Sequence, residues 1–371
     1  MPSDDAVRPD SGLWKDALDA RAVAELGSAI ARVYGKFDAK AFAEAVVSDG
    51  YLDRELKDRT RTIARHLKTF LPHDFRRACD ILIKTAPTVA AFENWALTSY
   101  VEQFGLDKFE ISVATMRELT SHSTCEFAIR PFMNRYTDRM IPVLHAWAAD
   151  DDEHVRRLAA EGSRPRGVWT AHITAFREDP APVIELLEKL KADESLYVRK
   201  AVANNLNDIS KDHPEVVIET ALRWKKDRHH HTDWIIKHAC RSLIRAGHPR
   251  VFPVFGLAYP ARVKVHDLAV KPKRVKIGKD LSFAFTLTST GAKKQKLAVD
   301  YKIHFVKANG TTAPKLFKLS EKTIQPGESI RFESKRSFEN RSTRTHRPGR
   351  HRLEIVVNGD ARGSVDFIVT T

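Results

Sequence analysis

The chain has 371 residues, 42% of them hydrophobic and 30% charged, enough to bury a full core and to build about two or three domains. No stretch approaches the roughly 20 apolar residues of a membrane span, and the opening MPSDDAVRPDSG has neither the basic flank nor the apolar core of a secretion signal, so a cytoplasmic protein is expected. The formal charge of +14 favours a polyanionic partner, most simply nucleic acid, and it is unevenly spread: from Val265 onward 22 Lys and Arg stand against 10 Asp and Glu.

Up to about Ala258 the sequence reads as helices with apolar residues three and four apart, separated by short Pro, Gly or Asp-rich breaks. RTIARHLKTFL, FRRACDILIKTA and PVIELLEKLKAD are clear examples. Three later stretches share one plan: MIPVLHAWAADDDEHVRRLAAEGSR, VIELLEKLKADESLYVRKAVANNLND and VIETALRWKKDRHHHTDWIIKHACRSLIRAG. Each is an apolar helix, a polar turn and a second helix, with Val155, Val198 and Ile235 at equivalent places. The spacing matches the roughly 40 to 47 residue period of HEAT-type pairs and predicts an all-α solenoid whose second helices line a groove.

Beyond GHPRVFPVFGLAYPARVKV the period changes to two in LSFAFTLTST, KLAVDYKIHFVK, SIRFESKRSF, RLEIVVN and SVDFIVT. Asn309-Gly310, Pro326-Gly327, Pro348-Gly349 and Asn358-Gly359 mark turns. About seven strands of this kind predict an all-β immunoglobulin-like sandwich. The reading is therefore a multi-domain chain: residues 1–258 a HEAT-like helical domain, 259–371 a basic sandwich. Cys79, Cys125 and Cys240 are odd in number and far apart, and read as reduced core thiols.

The chemistry concentrates in EHVRRLAAEGSRPRGVWT. A step of about 100° per residue that buries Val155, Leu158, Ala159 and Gly162 puts Arg157, Glu161 and Arg164 together on the opposite side. An acid between two guanidinium groups is held ionised, which suits stabilising a cation or orienting water better than donating a proton. A simple helical ion pair is the plain alternative. Pro165 ends the helix and delivers Trp169 to the next turn, where it either wedges two repeats or offers its face to a cation. Glu126 fits a capping box as the last residue of Ser123-Thr124-Cys125-Glu126, and Pro131 kinks the helix or starts it. The run His229-His230-His231 is not read as a metal site, because neighbouring histidines do not easily converge on one ion. No phosphate loop or nucleophile elbow is present.

STCEFAIRPFM, VRRLAAEGSRPRGVW and YVRKAVANNLNDISKDHP resemble the DNA alkylation repair glycosylases of the AlkC and AlkD superfamily, AlkC more than AlkD, and the sandwich resembles the immunoglobulin-like domain that some AlkC members carry. The resemblance implies hydrolysis of the N-glycosidic bond of cationic alkylated bases such as 3-methyladenine and 3-methylcytosine in duplex DNA, without full base flipping, leaving an abasic site. No metal and no cofactor are expected, and a monomer is expected, associated with the nucleoid when bound. Glu161 and Glu126 are the catalytic carboxylates on this reading, Trp169 the aromatic wall and Asp208 a further groove acid. Arg157, Arg164, Arg166, Arg199, Asn204, Lys237, His238, Arg241, Lys293 and Lys294 are the expected DNA-binding residues. The AlkD pattern uses an Asp and two tryptophans, and this chain departs from it by offering Glu. The alternatives are a repeat adaptor that binds nucleic acid or protein without catalysis, and an RNA-binding repeat protein in which Trp169 stacks an unpaired base.

Overall fold

The computed structural model describes residues 13–48, 50–341 and 344–371, so the opening stretch read above as no secretion signal lies outside the described residues. The helices are α1 (Ala20–Val33), α2 (Ala39–Ser48), α3 (Leu56–Phe70), α4 (Phe75–Thr85), α5 (Ala91–Phe104), α6 (Phe109–Leu119), α7 (Arg130–Arg135) and α8 (Thr137–Trp147). They continue with α9 (Glu153–Gly162), α10 (Thr174–Glu178), α11 (Ala181–Leu190), α12 (Leu196–Ile209), α13 (Pro214–Trp224), α14 (His230–Ala239), α15 (Arg241–Ala246) and α16 (Val251–Val254). None is long and apolar enough to cross a membrane. Two compact units divide the chain: one runs to His213 and takes in Asp227–Ala239, the other holds Pro214–Lys226 and Cys240–Thr371.

The repeat in the first unit is visible in its hydrogen bonds. Asp150 Oδ1 accepts from Asp152 N at 3.0 Å, Asp152 caps α9 by accepting from His154 N at 2.8 Å, and Arg156 Nη1 donates to the carbonyls of Asp150 and Asp151. Forty-three residues later Asp193, Ser195 and Arg199 repeat all three roles at the start of α12. A short polar turn thereby satisfies the orphan amides of each second helix. Helices α9, α12 and α14 pack side by side, with Val155, Val198 and Ile235 all buried. Asn205, fully buried, ties α12 to the end of α9 by donating to Ala160 O at 2.8 Å and Ser163 Oγ at 3.0 Å, and Asn207 donates to Ala239 O of α14. Cys79, Cys125 and Cys240 are buried free thiols, which burial pushes up, Cys79 to about 11.

Among the described residues the second unit carries a sandwich of eight strands: β1 (Val263–Lys271), β2 (Arg274–Lys276), β3 (Asp280–Ser289), β4 (Gln295–Val306), β5 (Thr312–Ile324), β6 (Ser329–Ser337), β7 (Gly349–Val357) and β8 (Asp360–Thr370). One sheet has the order β1-β3-β6 and the other β2-β8-β7-β4-β5, antiparallel except where β2 runs alongside β8. Alternate residues face inward, Leu281, Phe283, Phe285 and Leu287 of β3 joining Leu297, Val299, Tyr301 and Ile303 of β4 in one core. The β7–β8 hairpin turns on Asn358 and Gly359, both at positive φ, and a Cβ on Gly359 would come within 2.5 Å of the Phe252 ring. That position therefore needs glycine.

Candidate active site

Helix α9 positions the central acid. Its face toward Val155 and Leu158 is buried as the spacing requires, but the opposite side is covered too: Arg157 and Arg164 are only 7% and 9% exposed. The expected outward display of two arginines is thus corrected. The turn at 120–129 and helix α12 lie over them, and their guanidinium groups are engaged with carboxylates instead of standing ready for phosphate.

What results is a row of alternating charge. Arg157 donates to Glu126 Oε2 at 2.6 Å and to Thr124 Oγ1 at 2.7 Å, and its Nη2 stands 3.9 Å from Glu161 Oε2. Glu161 Oε1 accepts from Arg164, whose Nε donates to Asp208 Oδ2 at 2.7 Å; Lys211 meets the other oxygen of Asp208 at 2.8 Å. Burial alone would lower the Arg157 pKa, yet Glu126 and Glu161 raise it above the ordinary arginine value. Burial pushes the Glu126 carboxyl up, and Arg157 is the largest of the interactions that together bring it below its ordinary value. Three carboxylates are in this way brought into one line by two enclosed arginines.

Glu126 does not close a capping box. It lies in a turn before α7, where its own amide donates to Thr124 Oγ1 at 3.1 Å, and Pro131 sits at the first turn of α7 and so starts that helix. The residue that fixes the neighbouring loop is Arg130, which sequence reasoning missed. Almost fully buried, it donates to the carbonyls of Gly162 at 3.0 Å, Arg164 at 2.6 Å and Ala171 at 3.0 Å. Burial, with Arg164 nearby, lowers its guanidinium to about 10. The loop it braces carries Trp169 at a φ of +58° and 62% exposed, with Lys57 Nζ donating to the Trp169 carbonyl at 3.0 Å.

Trp169 and Tyr197 border a cleft of about 190 Å³ whose remaining walls include Trp14, Phe92, Trp95 and Phe127. Trp95 stacks on Phe127 at 4.9 Å and Trp14 lies 5.6 Å from Phe92. The acids are not among its walls; they adjoin it through the Arg157 guanidinium, seated 5.0 Å over the Tyr197 ring, and through Thr124 and Phe127 on either side of Glu126. These aromatics are scattered over more than 180 residues, with no local signal to gather them.

The other expected DNA-binding residues divide. Arg166 is held by Asp212 through bonds of 2.8 and 2.6 Å, and its hydrogen bond is the main cause of the lowered Asp212 carboxyl. Arg199 closes the turn before α12, a structural duty that sequence had assigned to phosphate binding. Asn204 is half-buried on α12, Lys237 is exposed on α14, and His238 stacks on Trp234 of the same helix at 5.0 Å. Arg241 opens α15 in the second unit, and Lys293 and Lys294 are exposed between β3 and β4. Against expectation, His229 and His231 do converge, with Glu194.

A helical-repeat fold with a braced tryptophan beside a row of carboxylates defines the class. Residues 59–243 match the sequence model of the DNA alkylation repair enzymes, and residues 264–371 match that of the C-terminal Ig-like domain of uncharacterised protein YhaZ. The chain belongs to the DNA alkylation repair enzyme family. It is 40% identical over 355 residues to uncharacterized protein YhaZ of Bacillus subtilis (strain 168), covering 96% of this chain and 99% of that one. It is similar also to the Pseudomonas fluorescens alkylpurine DNA glycosylase AlkC, solved bound to DNA containing an abasic site analog: TM-score 0.87, 38% identity, 97% of this chain and 100% of that one.

Proposed function

We infer that the protein is a monofunctional DNA glycosylase that hydrolyses the N-glycosidic bond of cationic alkylated bases, 3-methyladenine and 3-methylcytosine among them, in duplex DNA and without full base flipping. The product is an abasic site, and bond cleavage needs neither metal nor cofactor. The observation that carries this reading is Glu161 between Arg157 and Arg164, beside an aromatic cleft bordered by an exposed Trp169.

An alkylated base already bears positive charge and leaves readily, so the enzyme has little need of a general acid. The barrier lies in the oxocarbenium-like sugar, as in glycoside hydrolysis. Glu161 is the residue for that charge: one oxygen is tied to Arg164, while Oε2, 3.9 Å from Arg157 and beyond hydrogen-bond range of it, can orient the attacking water. Glu126 and Asp208 anchor the two arginines and act as positioning residues. The open face of Trp169 attracts the cationic deoxyribosyl group, an interaction worth about 0.5–2 kcal/mol. Arg166, Asn204, Lys237, His238, Arg241, Lys293 and Lys294 serve phosphate contacts and strand positioning on this reading.

The test is chromatographic identification of bases freed from methylated duplex DNA. Glu161→Gln is expected to slow release at least about a hundredfold with DNA affinity little changed. Wild-type protein that binds alkylated duplex yet frees no base would instead make this a non-catalytic repeat adaptor.

A further inference from the structure

The histidine run at the start of α14 serves no part of the chemistry above. His229 caps the helix through its carbonyl, which accepts from Asp233 N at 2.9 Å, and its ring meets that of His231 at 69° with centroids 5.2 Å apart. Glu194, from the turn that caps α12, reaches the same point: its Oε2 lies 3.8 Å from His231 Nδ1, and one potential ligand atom from each of Glu194, His229 and His231 falls within 4.8 Å of the other two. The Nδ1 atoms of both histidines are enclosed without a hydrogen-bond partner. An imidazole nitrogen shut away from water and left unpaired is costly, whichever tautomer the ring adopts.

The geometry points to a binding site for a divalent first-row transition cation such as Zn²⁺, held by His229, His231 and Glu194 with water in the fourth position. Two imidazoles and one carboxylate are a donor set that zinc accepts, and tetrahedral coordination with bonds of about 2.0 Å needs ligand atoms about 3.3 Å apart. Glu194 is exposed, and its side chain is the one that closes the remaining gap. His230 is not a ligand; its exposed ring packs against the other two, at 4.9 Å from His229 and 3.9 Å from His231. Neighbouring histidines meet here because the chain turns into α14 at His229, which brings residues two apart to one side.

The ion would clip the turn before α12 to the first turn of α14. The same two segments are already joined by Thr232 Oγ1 donating to Lys191 O at 2.8 Å, and Lys191 also pairs at 2.6 Å with Asp227, just ahead of the histidine run. Such a clip is structural, distinct from the acid row, and independent of the glycosylase reading.

The experiment is calorimetric titration of the full chain, free of any affinity tag and stripped with a chelator, with Zn²⁺ alone. One saturable equivalent is expected, accompanied by a rise in melting temperature. The double variant His229→Gln/His231→Gln should lose that equivalent and the rise. Glu194→Gln should weaken binding more than about tenfold, the lower end of what even outer-shell changes cost. His230→Gln should bind as wild type. Absence of a saturable equivalent in the wild type, or unchanged affinity in the double variant, would overturn the proposal; normal circular dichroism of the double variant separates loss of the site from loss of the fold.

Discussion

Arg157 and Arg164 in the helical unit, and Arg350 and Arg352 in the sandwich, are each a pair of arginines serving acids, and on paper they look alike. The first pair is enclosed, and its partners Glu126, Glu161 and Asp208 have little access to water. The second pair stands on β7 and shares one acid, Asp366 of β8, across an open face at 3.0 and 2.9 Å. Enclosed pairs fix geometry because neither partner can leave without stranding a charge, whereas open pairs are screened and exchange readily with solvent. Burial, not composition, decides which arginines build a site and which decorate a surface.

The sharpest way to break the contrast is Arg157→Met, which keeps the stem and takes from Glu126 its enclosed arginine. A loss of about 3–5 kcal/mol from the helical unit is expected in urea denaturation, with partial recovery when Glu126→Gln is added. The sandwich also has an enclosed set, and there acidification is the probe. His346 is buried and lowered to about 4, by burial first and by Arg344 next, against an ordinary value of 6.5. Between those values the unfolded chain binds a proton that the folded one refuses, so the His346 contribution is intact above pH 6.5 and is lost as pH falls toward about 4. Asp300, which burial raises to about 6, works in the opposite direction over part of that range. The measurement is therefore the difference between wild type and His346→Asn in melting temperature against pH, with the wild type falling more steeply.

Smaller effects lie at the surface. If Lys293 and Lys294 meet phosphates, Lys293→Ala/Lys294→Ala should flatten the dependence of DNA affinity on salt by about 0.9 per contact, and an unchanged slope would assign the sandwich another role. Smallest is Asp366→Asn, which should leave the melting temperature within error and so complete the contrast with Arg157.

The repeat was legible because a turn that caps a helix needs Asp or Ser at fixed places, and burial needs Val or Ile three residues on. The sandwich was legible where strands alternate, as in β3 and β4. It was hidden in β5, an edge strand with little inward face, and in β1, where a bulge between His266 and Ala269 breaks the period. Periodicity brought Glu161 and its arginines together correctly but reported them as exposed, since a helical wheel describes one helix and says nothing of a second layer laid over its other side. Ser123-Thr124-Cys125-Glu126 misled because Thr124 bonds its own neighbour two residues on, a turn that competes with helix initiation. The cleft walls were invisible for want of any local pattern.

Arg130 grips the Trp169 segment entirely by peptide oxygens, a handhold that every amino acid provides. The station of the ring therefore rests on one enclosed side chain that lies outside the segment it holds, more than thirty residues earlier in the chain.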